Sequence, residues 1–365
     1  MSFNRIAALA ARIVLQFRRD RRTLGLMVIV PIVVLSLMSY LVGLGASSLA
    51  VGIVQEDDSQ MAETLVASMG NIEIFDIQEL DRDDADKLLS ESKLEALIII
   101  QPTFAQEVMT SASKAIEIII EGSRPGTEPM LMQGLSLALS GLVPGSGSTT
   151  FEPSVSYLYG GPEFEPIDYF APTMVALFAF IFVYLLTAIG FLRERTLGTW
   201  ERLLASPLTK AEMVLGYMAG FSLFALIQST VILLFTLYVI GIHYQGNVLI
   251  VFVIVAIMTI GSVNLGIFLS TYARNELQVV QFMPMVIVPQ ALIGGVFWPI
   301  EQMHVVFQWI AHLLPITYAN FALQEVMIKG NGILDTGVAA NIGALLLFAT
   351  LMVLLAAVGL RRASA

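Results

Sequence analysis

The chain has no cysteine among its 365 residues, which excludes a disulfide framework, thiol catalysis and a thiolate metal site. Charge is scarce: 13% of residues are Asp, Glu, Lys or Arg, against 56% hydrophobic, a balance foreign to an ordinary soluble domain. Histidine is rarer still, and His243, His304 and His312 stand at no metal-ligating spacing. No GxSxG, no HExxH and no Gly-rich phosphate loop ending in Lys-Ser or Lys-Thr occurs, so no hydrolase or nucleotide motif is present.

What is abundant is uninterrupted apolar sequence. Residues 24–46, 169–192, 214–240, 248–271, 278–298 and 338–360 hold no Asp, Glu, Lys, Arg or His. Each is long enough, at about 20 residues, to cross a hydrocarbon core of about 30 Å as a helix. The expectation is a polytopic α-helical membrane protein with six transmembrane helices. Cations sit beside alternate ends of these runs: Arg5, Arg12, Arg18, Arg19, Arg21 and Arg22 before the first, and Arg193, Arg195, Arg202 and Lys210 after the second. Arg274 follows the fourth run, and Arg361 and Arg362 follow the sixth. The positive-inside rule then puts both termini and residues 193–213 in the cytoplasm, with the membrane crossed six times. The first run exceeds the 7–15 apolar residues of a cleavable leader, despite Ala46-Ser47-Ser48 after it, and reads as an uncleaved anchor.

Within residues 1–23, Phe3, Ile6, Ala10, Ile13 and Phe17 recur at helical steps while Arg5, Arg12 and Arg19 recur every seven on another face. This predicts an N-terminal interfacial amphipathic helix, basic towards anionic lipid and apolar towards lipid or the bundle. Residues 47–168 hold most of the acid, including Glu56, Asp57, Asp58, Asp81, Asp83, Asp84 and Asp86, as expected of an extracytoplasmic segment. LAVGIV, IEIF, EALIII and AIEIII read as strands separated by helical stretches, which predicts an inserted α/β domain. Its tail, LVPGSGSTTFEPSVSYLYGGPEFEP, reads as an irregular connection. DRDDAD lacks the glycine and the terminal glutamate of a calcium loop and reads as a solvated helix start.

Uncharged polar residues do enter the spans. Gln228, Ser229, Asn264, Gln281 and Gln290 either bond across helix contacts or line a path, the first being the commoner role. Pro284 and Pro289 are expected to break the fifth span. Residues 299–335 lie outside or re-enter the membrane, with Val305, Val306, Trp309, Ile310 and Leu313 forming an apolar stripe and Trp298, Trp309 and Tyr318 suited to the interface.

With no carboxylate inside a span, an ion-driven carrier is disfavoured; with no Walker A loop, ATP-driven work requires a partner. The cytoplasmic stretch RERTLGTWERLLASPLTKAEM is the place for one. Arg193, Glu194 and Arg195 continue the second span and Gly198 breaks it. Thr199, Trp200, Glu201, Arg202, Leu203 and Leu204 then form a short amphipathic helix, stopped by Ser206 and Pro207. This stretch resembles the E-R-E-x-G-T-x-E-x-L-x-x-S-P segment of permeases of the type-two ABC exporter family, and GGVFWPIEQMHVVFQWIAHLLPITYANFALQEV is similar to the family's pattern before its last span. The resemblance implies a coupling helix over those residues, docking on a separate ABC ATPase subunit that carries the ATP and Mg2+. It further implies pairing with a second copy or a related permease, a prokaryotic inner-membrane location, and export; the uncharged spans favour an amphipathic or apolar substrate, and no motif calls for a cofactor in this chain. Membrane lipids are the other expected partner and nucleic acid is not one. The competing readings are a membrane-anchored receptor or assembly factor with an extracytoplasmic ligand-binding domain and, less favoured, a secondary carrier.

Overall fold

The computed structural model describes residues 2–19, 25, 29–34, 36, 49–72, 74–106, 115–123, 126–140, 153–296 and 300–363. The chain divides into two compact units, Leu41–Tyr169 and the remainder.

The smaller unit is built on a five-stranded mixed sheet of order β2-β1-β3-β4-β5, with β1 Leu49–Gln55, β2 Phe75–Glu79, β3 Ala96–Ile100, β4 Ile116–Ile120 and β5 Ser154–Tyr157. β1 runs parallel to β2 and β3, β3 is antiparallel to β4, and β4 is parallel to β5. Side chains alternate across a strand, and both faces of β3 are covered. Ile98 and Ile100 pack with α2 (Gln60–Gly70) and α4 (Thr127–Ser140), whereas Leu97 and Ile99 pack with α3 (Arg82–Ser90). That two-sided burial is why ALIII is continuously apolar. Ser59 caps α2 by accepting from the Ala62 amide at 3.3 Å.

Two expectations need correction here. The second strand is Phe75–Glu79, not IEIF: Ile72 sits in the turn after α2, its amide donating to the Met69 carbonyl, and β1 pairs Val51 with Ile77. The tail expected to be irregular contributes β5, whose SVSY is too short and polar to announce itself and is held by its ladder to β4. DRDDAD opens α3 with Asp81 at its N-cap, and no metal-holding cluster occurs among the described residues.

In the larger unit, α1 spans Phe3–Arg19, α5 Pro166–Thr196, α6 Thr199–Leu204, α7 Lys210–Phe235, α8 Val248–Ser270, α9 Glu276–Ile293, α10 Val305–Ala311, α11 Pro315–Met327 and α12 Thr336–Ala363. Five of these are long and apolar enough to cross a membrane: α5, α7 with its continuation to Ile240, α8, α9 and α12. The chain is therefore a mostly helical, polytopic membrane protein. Of the expected first span, 24–46, most falls outside the described residues, as does Trp298; residues 29–34 are helical.

α9 passes through Pro284 and Pro289 without interruption, contrary to the expected break. A proline removes one amide donor, but a span tolerates it where other groups meet the freed carbonyl. The helix ends at Gly294, where an added Cβ would lie 2.1 Å from an Ile316 methyl. α11 is the packed part of the 299–335 segment. Ile316, Ala319, Leu323 and Val326 are buried, and Asn320 donates to the Gly295 carbonyl at 2.8 Å. The α10 stripe is exposed instead, Trp309 at 74%.

Candidate functional site at the α5–α7 turn

The last turn of α5 carries three charges in a row, and each has a different fate. Arg193 forms a forked pair with Glu276 at the start of α9, with Nε and Nη2 donating at 2.7 and 3.3 Å. Both side chains are about half exposed, so this pair fixes geometry more than stability. Arg195 Nη1 donates to the Ser270 carbonyl at 2.9 Å, a second donor beside the Ala273 amide on that acceptor at the end of α8. Glu194 is only 3% exposed. It accepts from Arg12 of α1 and, at 2.8 Å, from the Tyr217 hydroxyl of α7. A carboxylate taken out of water persists only with such partners, and here they join three helices at one point.

Gly198, at φ 71°, lets the chain leave α5 through a left-handed turn, and α6 follows at once. Ser206 Oγ donates to the Leu203 carbonyl at 2.6 Å and so closes the end of α6. Thr209 then opens α7 with a capping box: its hydroxyl accepts from the Glu212 amide at 3.3 Å, and Glu212 accepts from the Thr209 amide at 2.9 Å. The connection is thus a rigid helix–turn–cap. Arg202 is exposed; the side chains of Trp200, Glu201 and Leu204 lie outside the described set.

The N-terminal helix, expected to turn its apolar stripe to lipid or to the bundle, holds this turn from the side, on residues the sequence did not single out. α1 lies along α7, with Leu9 and Ile13 buried. A Cβ on Gly216 would stand 2.9 Å from Leu9 Cβ, and one on Gly220 would stand 2.9 Å from Ile13 Cβ and 3.1 Å from Ala10 Cα. The small-xxx-small spacing in GYMAG was the available signal. Polar contacts complete the seat: Arg5 Nη1 donates to the Pro207 carbonyl at 2.7 Å, and the Ser2 amide donates to Glu212 at 2.6 Å. Between α1 and the turn is a cleft of about 300 Å³, walled by Ala8 and Leu9 on one side and Leu203, Pro207 and Leu208 on the other. Arg5 and Arg12 also line it.

The polar residues of the spans do not converge on one site. Ser229 shares a hydroxyl–hydroxyl bond of 2.9 Å with Thr259 across α7 and α8. Gln290 accepts from the Ile316 amide at 3.2 Å, joining α9 to α11. Asn264 donates to the Ile260 carbonyl of its own helix at 2.7 Å, and its Oδ1 has no partner among the described residues. Gln281 is exposed. Gln228 is 3% exposed, and among the described residues neither amide atom finds a partner, against the cross-helix bond expected of it. An unpaired buried amide costs about 1–3 kcal/mol. Gln228→Leu should therefore raise the thermal midpoint of the purified protein; a lowered midpoint would show that this amide is bonded.

Residues 21–358 match the family described as ABC-2 family transporter protein. The chain is 24% identical over 340 residues, 91% of this chain and 90% of the relative, to the probable multidrug ABC transporter permease YbhS of Escherichia coli K12. It is 30% identical over 178 residues, 48% of this chain and 45% of the relative, to the linearmycin resistance permease protein LnrN of Bacillus subtilis 168. It is 24% identical to ABC transporter G family member 20 of Dictyostelium discoideum over 89% of this chain, and it spans 46% of that longer protein. A family match across nearly the whole length, on a polytopic bundle with the expected turn between its spans, leaves one assignment: the chain belongs to the ABC-2 transporter family.

Proposed function

We propose that this chain is the permease subunit of an ATP-driven exporter, moving an amphipathic or apolar substrate out of the cytoplasm together with a separate ATPase subunit that supplies ATP and Mg2+. The observation that carries the reading is α6. It is a short helix between two spans, entered through Gly198 and closed by Ser206, with the Pro207 carbonyl held by Arg5. A solvated loop needs none of these fixings, whereas a lever between an ATPase and two spans does. The names of two relatives, a probable multidrug ABC transporter permease and a linearmycin resistance permease, support a transport role.

The arrangement we propose has six spans in a prokaryotic inner membrane, both termini and residues 193–213 cytoplasmic, and residues 47–168 extracytoplasmic. The acid of that segment and the arginines beside alternate spans support it. α9 supports pairing with a second copy or a related permease. Its most apolar window is only 11% buried within the chain against 72% for α5, and its hydropathy is the lowest of the five spans. It also exposes Gln281, which is better matched by protein or a shared path than by lipid.

The test is complex formation with the ATPase subunit. Trp200→Ala and Leu204→Ala should each reduce its copurification, because an aromatic or aliphatic anchor dominates a small interface. Glu201→Lys should uncouple ATP hydrolysis from transport where complex survives. Wild-type yield, hydrolysis and transport in Trp200→Ala and Leu204→Ala together would remove the coupling role.

A further inference from the structure

We infer that the cleft between α1 and the 203–208 turn holds one anionic phospholipid, an acyl chain against its apolar wall and the phosphate diester between Arg5 and Arg12. Two observations converge on it. The wall is Ala8, Leu203, Pro207 and Leu208, and the volume of about 300 Å³ stands at the lower end of small-molecule pockets. That size takes part of one acyl chain, the rest of which continues into the surrounding bilayer.

The second observation is charge. α1 carries Arg5, Arg12, Arg18 and Arg19 and no acidic residue. Glu194 and Glu212 engage Arg12 and Arg5, but each pairing leaves donors over, because a guanidinium has five N–H groups in a planar fork. Arg5 in addition keeps 47% of its side chain exposed, so it can take a phosphate without leaving Pro207.

An apolar wall that two guanidinium groups also line fits a lipid with its headgroup at the interface. A free phosphate would leave the wall uncovered. The site requires a membrane around the bundle and does not require the ATPase, so it stands or falls separately from the coupling role.

Because the chain has no cysteine, Ala8→Cys can be labelled singly with a bimane fluorophore in the purified, detergent-solubilised full chain. Phosphatidylglycerol and phosphatidylcholine with brominated acyl chains serve as quenching ligands. A label at Leu347→Cys on α12, which is 72% exposed in the native chain, reports general lipid contact. Phosphatidylglycerol should quench the Ala8 label at several-fold lower concentration than phosphatidylcholine, and the Leu347 label should show no such preference. Arg5→Gln should erode the preference by about five-fold, the share of one arginine near a headgroup. Ser206→Phe, which fills the cleft and keeps both arginines, should abolish the difference between the two label positions. Equal quenching by both lipids at Ala8 would overturn the proposal. So would a preference that survives both Arg5→Gln and Ser206→Phe, which would assign it to the arginines of α1 as a whole. Displacement by inorganic phosphate would likewise overturn it in favour of a free-anion site.

Discussion

Arg12→Ala should lower the thermal midpoint of the purified protein by several degrees and release α1, at a cost of about 3 kcal/mol. The cost arises mainly in the partner left behind. Glu194 is almost fully buried, and after the substitution the Tyr217 hydroxyl alone would compensate its charge. Removing one member of a buried pair strands a charge away from water. Glu194→Gln should be milder, about 1 kcal/mol, because the amide oxygen still accepts from Tyr217 and Arg12, about a third exposed, regains water. In a double-mutant cycle Arg12→Ala and Glu194→Gln should lose less together than the sum of the two alone. An unchanged midpoint in Arg12→Ala would show that the ion pair contributes nothing.

The double substitution Gly216→Leu/Gly220→Leu should displace α1 altogether. A new Cβ would meet Leu9 Cδ2, Cβ and Cγ at Gly216, and Ile13 Cβ and Cδ1 with the Ala10 backbone at Gly220; the Cδ ends can turn aside, but the Cβ atoms and the Ala10 backbone cannot. α1 must therefore move bodily. Overpacking costs about 1–3 kcal/mol at each site, and the two should be non-additive once α1 has lifted. The displacement can be read directly in this cysteine-free chain: Leu9→Cys, at a position 4% exposed, should react slowly with a water-soluble maleimide in the Gly216/Gly220 background. With both leucines present it should react quickly. Equal, slow labelling in the two backgrounds would mean that α1 is seated by its polar contacts alone.

These two results concern a contact that the sequence displays in halves. The amphipathic period of α1 and the GYMAG spacing of α7 are each visible, but nothing local joins a face of one helix to a face of another about 200 positions away. Burial supplies the link, and burial depends on the whole bundle. The same holds for Glu194. In the sequence it is the middle of an Arg-Glu-Arg triplet like any solvated helix end, and its role appears only when α1 and α7 close over it. By contrast, α6 was legible to the residue, because a glycine, a short helical run and Ser-Pro in close succession encode their own start and stop.

What the sequence by itself determined is therefore whatever rests on solvent and on local backbone chemistry. Long uncharged runs must cross a membrane because lipid tolerates no unpaired charge or open backbone, so α5, α7, α8, α9 and α12 fall where their composition requires. ALIII must be an interior strand because both its faces need covering. The tertiary structure alone decided the rest. It fixed the start of β2 at Phe75 through pairing with β1 and recruited the polar SVSY as β5 through its neighbour's open edge. It carried α9 through two prolines, left Gln228 without a bond among the described residues, and seated α1 against two glycines of α7. Each of these turns on a partner distant in sequence. A residue's composition states which surroundings it tolerates, and only the assembled fold states which of them it receives.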